Sequence, residues 1–212
     1  MNKTFYTIIA CLACILYYTF VHEGEQQEEI ASPVAECEQT ISHPEEASDA
    51  ENVKHFEIPV TTKRREEILL EQYGYTVSYN PNLCIPNWVA WELNAEKMVV
   101  RESRNSKFYP NPKLPEDKAV TTQEYTGSGW DRGHMCPAGD NKYHWRAMNE
   151  CFYMTNICPQ NHSLNSGDWK ELEEACRKWA EVEPVYIACG PIMCQTPQYG
   201  YIGKKFKIRV PD

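Results

Sequence analysis

Residues 61–212 are predicted to form one α+β domain with a largely antiparallel sheet, and three observations predict it. Two β-branched, aromatic runs, residues 75–79 and 88–93, flank an Asn80-Pro81-Asn82 turn. A single strongly amphipathic helix is expected over residues 166–180. Two further strand-like runs, 185–189 and 205–210, come back after that helix.

Taken in order, residues 63–72 read as a short helix, although Ile68, Leu69 and Leu70 are too clustered to define its face. The strands at 75–79 and 88–93 follow, with a third expected at 98–100. Residues 103–129 carry Pro110, Pro112, Pro115, Gly127 and Gly129 and read as loop. In the helix at 166–180, a rotation of about 100° per residue places Trp169, Leu172, Cys176, Trp179 and Ala180 on one apolar arc. Glu171 and Glu174 fall on the far side, where water can hold them. Glu173 falls at the edge of the arc beside Ala180, so its carboxylate is partly desolvated and needs a partner. Residues 185–189 read as a buried strand ended by Gly190-Pro191, and residues 205–210 as an alternating one.

The chain carries 21 basic and 30 acidic residues, a net charge of −9. The imbalance belongs to residues 1–60, which hold two basic and eleven acidic side chains; the remainder is neutral, with 19 of each. A broad basic footprint for nucleic acid is therefore absent, and phosphate binding must rest on a local cluster with a metal. Residues 1–22 contain an uncharged apolar run from Phe5 to Val21 behind Lys3. This reads as either a signal peptide or a membrane anchor, with the body exported to the periplasmic or extracellular side. Residues 23–60 read as an acidic, disordered linker. Eight cysteines lie outside the apolar run; with export, one or more disulfides are expected, of undetermined pairing. No C-x-x-C occurs outside that run, which argues against structural zinc.

The chemistry concentrates in Asp131-Arg132-Gly133-His134, then Asn156-Ile157-Cys158-Pro159-Gln160, then Asn165, then Glu173. A histidine has the intrinsic pKa to take a proton near neutrality. An arginine binds phosphate bidentately. An amide oxygen and a carboxylate suit a hard cation. Singly, each has a plain structural explanation: Asp131 as a turn cap, Asn165 as the cap of the helix behind it. Together they are the parts needed to hydrolyse a phosphodiester with one metal ion.

In this order and spacing, Asp131-Arg132-Gly133-His134, Asn156-x-x-Pro159-Gln160, Leu164-Asn165 and Trp169-x-x-x-Glu173 resemble the DNA/RNA non-specific endonuclease family, which includes endonuclease G-like enzymes. The match runs from about Tyr75 to Pro211. The resemblance implies a ββα-metal (His-Me finger) active site. It implies His134 as general base and a single magnesium on Asn165, with manganese as a substitute. Glu173 would orient metal-bound water, and Arg132 and Arg104 would contact the phosphate. Asn156 and Gln160 would support the site and the bound substrate. DNA and RNA are the implied substrates, cut with little sequence preference, since these groups address phosphate and metal and not bases. Family members continue past this point with another core strand. The resemblance thus implies a C-terminally shortened domain, and the alternative reading is a truncated, catalytically weak nucleic-acid-binding homologue.

Overall fold

The structure, a computed structural model, describes residues 55–62, 64–194 and 198–212. The N-terminal apolar run and all but the end of the acidic linker lie outside the described residues. Among the described residues, no helix is long and apolar enough to cross a membrane.

A four-stranded antiparallel sheet is the frame, in the order β1 (Ile68–Glu71), β2 (Thr76–Asn80), β3 (Ile85–Leu93) and β6 (Val185–Cys189). Strand β1 (Ile68–Glu71) occupies part of the segment expected to be a helix. Its period is two: Leu70 is buried opposite Val77, Ile68 is half-buried opposite Tyr79, and Leu69 points to water. A cluster of three aliphatic residues fits either period, and pairing with β2 decides it. Strands β2 (Thr76–Asn80) and β3 (Ile85–Leu93) are joined at the expected turn. There the Asn80 side chain accepts from the amides of Asn82 and Leu83, both at 3.1 Å. This Asx turn brings Cys84 to a φ of +58°.

The expected strand at 98–100 is absent. Asn94 instead folds the chain into a turn, accepting from the Lys97 amide through its side chain and from the Met98 amide through its carbonyl. Strand β6 (Val185–Cys189) forms where expected and pairs along β3, but it is an edge strand with Tyr186 and Ala188 exposed, and so is not buried. Residues 205–210 contribute only β8 (Ile208–Arg209), which pairs with β7 (Tyr201–Ile202). The buried Arg209 spends its guanidinium on Asp212 and on the carbonyls of Tyr199, Gly200 and Val210.

The second layer begins with a separate hairpin, β4 (Asp131–His134) against β5 (Ile157–Gln160). Between these strands the chain makes an excursion over residues 135–156 that carries helix α1 (Trp145–Glu150). After β5 come α2 (His162–Ser166) and α3 (Asp168–Ala180). The expected single helix is thus two. Asn161 caps the first by accepting from the Ser163 amide at 2.9 Å, and Gly167 breaks between them. On α3, Trp169 and Cys176 are half-buried and Ala180 is buried, whereas Leu172 and Trp179 at the arc's flank remain exposed.

The core lies between the sheet and the hairpin layer. Val77, Tyr79, Ile85, Val89 and Leu93 meet Met148, Phe152, Met154 and Ile157 there. Each such large apolar side chain contributes about 1.5–3 kcal/mol through burial. Cys84, Cys136, Cys151, Cys158, Cys176, Cys189 and Cys194 are all free thiols. The disulfide expectation therefore finds no bridge among the described residues.

Candidate active site

The alternation of a β-strand sorts the four residues of β4 into two pairs. Arg132 and His134 share one face, and both lie against Phe108. The guanidinium carbon of Arg132 is 4.8 Å from that ring's centre and the imidazole centre is 5.3 Å from it. Asp131 and Gly133 share the other face, with Gln160 packed across them. A Cβ on Gly133 would collide with Oε1, Cδ and Cγ of Gln160, so this strand position needs a glycine. The motif's glycine makes room for a neighbouring side chain; no turn occurs there.

His134 is 7% exposed. Phe152 meets its ring edge-on at 4.8 Å, and the Trp169 indole N–H donates to its carbonyl at 3.1 Å, tying β4 to the start of α3. Its Nε2 is buried with no protein partner among the described residues. Burial, reinforced by the positive charge of Arg104, pushes the imidazole down to about 3. The ring is therefore neutral at physiological pH and carries an unmet hydrogen-bonding atom. Such an orphan costs about 1–3 kcal/mol and calls for an explanation in function.

Arg104 comes from the 103–129 loop, with its guanidinium carbon 5.5 Å from the Phe152 ring centre. It acts electrostatically on both His134 and Glu173. Arg101, its neighbour in sequence, is instead positioned by its backbone amide on the Lys142 carbonyl. Arg104 and Arg132 are both exposed, each against an aromatic ring that also touches His134.

Asn165 sits inside α2 and caps no helix, contrary to expectation. Its Nδ2 donates to Asp131 Oδ2 at 3.0 Å, and His162 Nδ1 meets the same oxygen at 2.8 Å. Burial would raise the Asp131 carboxyl, but these hydrogen bonds and the charges of His162 and Arg132 hold it below its ordinary value. With Nδ2 engaged, the amide is fixed in orientation and its Oδ1 has no protein partner among the described residues. Glu173 on α3 is half-buried, as its place on the arc predicted. Burial, with Asp140 adding, raises its carboxyl to about 7 against the pull of Arg177 and Arg104. It forms no hydrogen bond or ion pair among the described residues.

Two predicted residues act on the protein itself. Asn156 is fully buried; its Nδ2 donates to the carbonyls of Cys136 and Cys151, both at 2.8 Å, and its Oδ1 accepts from the Cys136 amide at 2.9 Å. Nothing is left over for a substrate, so the expectation of substrate contact does not fit its geometry. Gln160, 6% exposed, lies against Gly133 with Oε1 unpaired, so it too supports the strand from behind.

Sequence reasoning missed one network. Arg177 donates to Asp140 Oδ1 at 2.9 Å, and the Trp91 indole donates to Asp140 Oδ2 at 3.0 Å. This clamps α3 onto β3 through a carboxylate that is 1% exposed. One signal was available: Arg177 lies one helical turn after Glu173, on the same face.

The donor set suits a hard cation that keeps most of its water. Asn165 Oδ1 has no protein partner among the described residues, and the half-buried Glu173 carboxyl forms no ion pair there, with Arg177 and Arg104 acting on it only through their charge. Among the described residues, no group of three or more His, Cys, Asp or Glu could form an all-protein cage. Magnesium, which dehydrates reluctantly and takes few protein oxygens, fits these residues better than zinc does.

The comparisons agree with the expected resemblance. A mitochondrial nuclease EXOG from Xenopus laevis is 35% identical over 88% of this chain and 47% of its own length. The Mus musculus counterpart is 38% identical over 68% of this chain and 43% of its own. The chain thus spans under half the length of these curated relatives. The crystal structure of an EndoG/EndoGI complex, which addresses the mechanism of EndoG inhibition, superposes with a TM-score of 0.62. It does so at 26% identity, over 68% of this chain and 63% of that one. Relatives named as mitochondrial overturn the expectation of export and point to mitochondria instead. The pattern of the DNA/RNA non-specific endonuclease family matches residues 52–212, and the chain belongs to that family.

Proposed function

We propose that this chain is a metal-dependent endonuclease that hydrolyses phosphodiester bonds of DNA and RNA with little sequence preference, through a ββα-metal site. The observation that carries the reading is the buried, neutral His134 with its unpaired Nε2, on a strand flanked by Arg132 and Arg104 and tied through Asp131 to Asn165. The relatives' names as nucleases support it.

In this mechanism Arg132 and Arg104 hold the non-bridging phosphate oxygens. His134 accepts the proton of the attacking water as its oxygen bonds to phosphorus and the bond to the leaving ribose oxygen breaks. A phosphate beside the imidazole raises its proton affinity from the low value of the free site, when the reaction needs a base. Asn165 would hold a magnesium ion, and Glu173 would orient water at it. When bound, that ion supplies positive charge to the phosphorane and the leaving oxygen. Asp131 fixes the Asn165 amide, and Trp169 holds the His134 backbone.

Nicking of supercoiled plasmid by the full chain tests this, with magnesium, with manganese and with EDTA. The expected result is metal-dependent nicking, lost in His134→Ala and in Asn165→Ala while both variants keep the wild-type circular dichroism. Undiminished nicking by His134→Ala would refute the assignment of the base.

A further inference from the structure

Beside Arg104 the structure holds a second feature that the reaction does not use. Ser103, Arg104, Asn105, Trp145 and Asn149 line an open, mostly polar cleft of about 390 Å³, with Glu102 in its wall. A cleft of this size accommodates a nucleobase. Trp145, the first residue of α1, is 59% exposed. Its indole is not adrift: the His144 ring lies beside it at 5.7 Å, and His144 is stacked on Tyr73 at 4.2 Å. His144 also caps α1 by accepting from the Arg146 amide at 3.1 Å. A solvent-facing indole is an aromatic surface open to a stacking partner.

The polar groups of the cleft complete it. Asn105 Nδ2 donates to Asn149 Oδ1 at 3.0 Å, which joins the loop to α1. Asn105 Oδ1 is occupied by the amides of Ser106 and Lys107. Asn149 Nδ2 has no partner among the described residues, so it is available to the cleft as a donor suited to a base carbonyl. Glu102 repels phosphate from the cleft, and Arg104 attracts it to the rim. This charge order matches a nucleotide whose phosphate lies at Arg104 and whose base lies over Trp145.

Resting on the nuclease reading, we infer that Trp145, with Asn149 and Arg104, forms a subsite that stacks one unpaired nucleobase flanking the phosphodiester held at His134. The occupant is an unstacked base of a single strand or strand end, because a base within a duplex cannot offer its face to the indole.

Equilibrium binding of a fluorescein-labelled single-stranded oligonucleotide to the full chain in EDTA tests this without any cleavage. Stacking on an aromatic side chain contributes about 1–3 kcal/mol, so Trp145→Ala should weaken binding about tenfold and Trp145→Phe should restore most of it. Replacing the bases one at a time by abasic sites should weaken wild-type binding at one position and leave Trp145→Ala unaffected there. Equal affinity of wild type and Trp145→Ala overturns the subsite, as does an abasic profile that is the same in both. Plasmid nicking reads the other claim independently. Trp145-dependent binding without metal-dependent nicking keeps the subsite and refutes the nuclease, whereas nicking without any effect of Trp145 does the reverse.

Discussion

Arg177→Ala removes the one cation that pairs with Asp140 among the described residues. Asp140 would keep only the Trp91 indole, in a setting where its side chain is 1% exposed. Breaking a buried pair from one side costs about 3–5 kcal/mol, because a desolvated charge is left uncompensated. For a domain of this size each kcal/mol lowers the melting temperature by about 2–4 °C, so a fall of about 6–20 °C is expected near neutral pH. The loss should depend on pH with a definite sign. Burial already holds the Asp140 carboxyl above its usual range, despite Arg177 and Trp91. Without Arg177 it rises further, so the folded state is penalised at any pH where the unfolded chain ionises this group. The penalty shrinks as pH falls toward the unfolded carboxylate value and the native carboxyl takes its proton. Urea unfolding of wild type and variant near pH 7.5 and pH 4.5 measures this, and the histidine contribution common to both cancels in the difference. Asp140→Asn in the Arg177→Ala background should recover part of the loss at the higher pH. A loss below about 1 kcal/mol, or one that is equal at both pH values, would refute the description of Asp140 as a buried, paired carboxylate.

Gly133→Ala should destabilise by about 1–3 kcal/mol through overpacking against Gln160. Gln160→Ala in the same chain should recover most of it, and additive urea midpoints would show that the two do not collide. In histidine NMR of the metal-free protein, His134 should remain neutral down to about pH 3, whereas a midpoint near 6.5 would mean a solvated ring. Because its folded value lies below the unfolded one, His134 costs stability as pH falls from about 6.5 to about 3, where only the unfolded chain binds the proton. Carbon NMR of Glu173 should give a midpoint of about 7 without metal, moved down by excess magnesium. An unchanged midpoint would place the ion elsewhere.

The parts of this protein legible in its sequence were those set by local pattern. The turn at Asn80-Pro81-Asn82, the strands around it and the helix bearing Glu173 all follow from spacing and residue type. The half-buried state of Glu173 followed from its angle on the helix alone. What escaped was fixed by partners distant in the chain. The strand at Ile68–Glu71 exists because β2 offers it a register, and no window of local sequence contains that fact. Asn165 resembled a helix cap, but its partner is Asp131, 34 residues earlier. Asn156 resembled a substrate-facing loop residue, and its partners are backbone groups of Cys136 and Cys151. The Asp140 clamp joins positions 49 and 37 residues away in the chain, beyond any motif.

The three bonds of Asn156 also have a consequence for how this fold can vary. Two of them, to Cys136, fasten the ends of the 135–156 excursion to each other, close to where it leaves β4 and re-enters β5, and the third holds Cys151 just before its end. A segment closed at its base fixes the spacing of the strand ends it joins, whatever its exposed part carries. Exposed residues borne on it, Trp145 among them, can therefore be exchanged while His134 keeps its place, whereas Phe152 against the imidazole and Asp140 in the clamp cannot. Buried and exposed positions of one excursion thus answer to different demands: the buried ones hold the imidazole and the Asp140 clamp, and the exposed ones are open to variation.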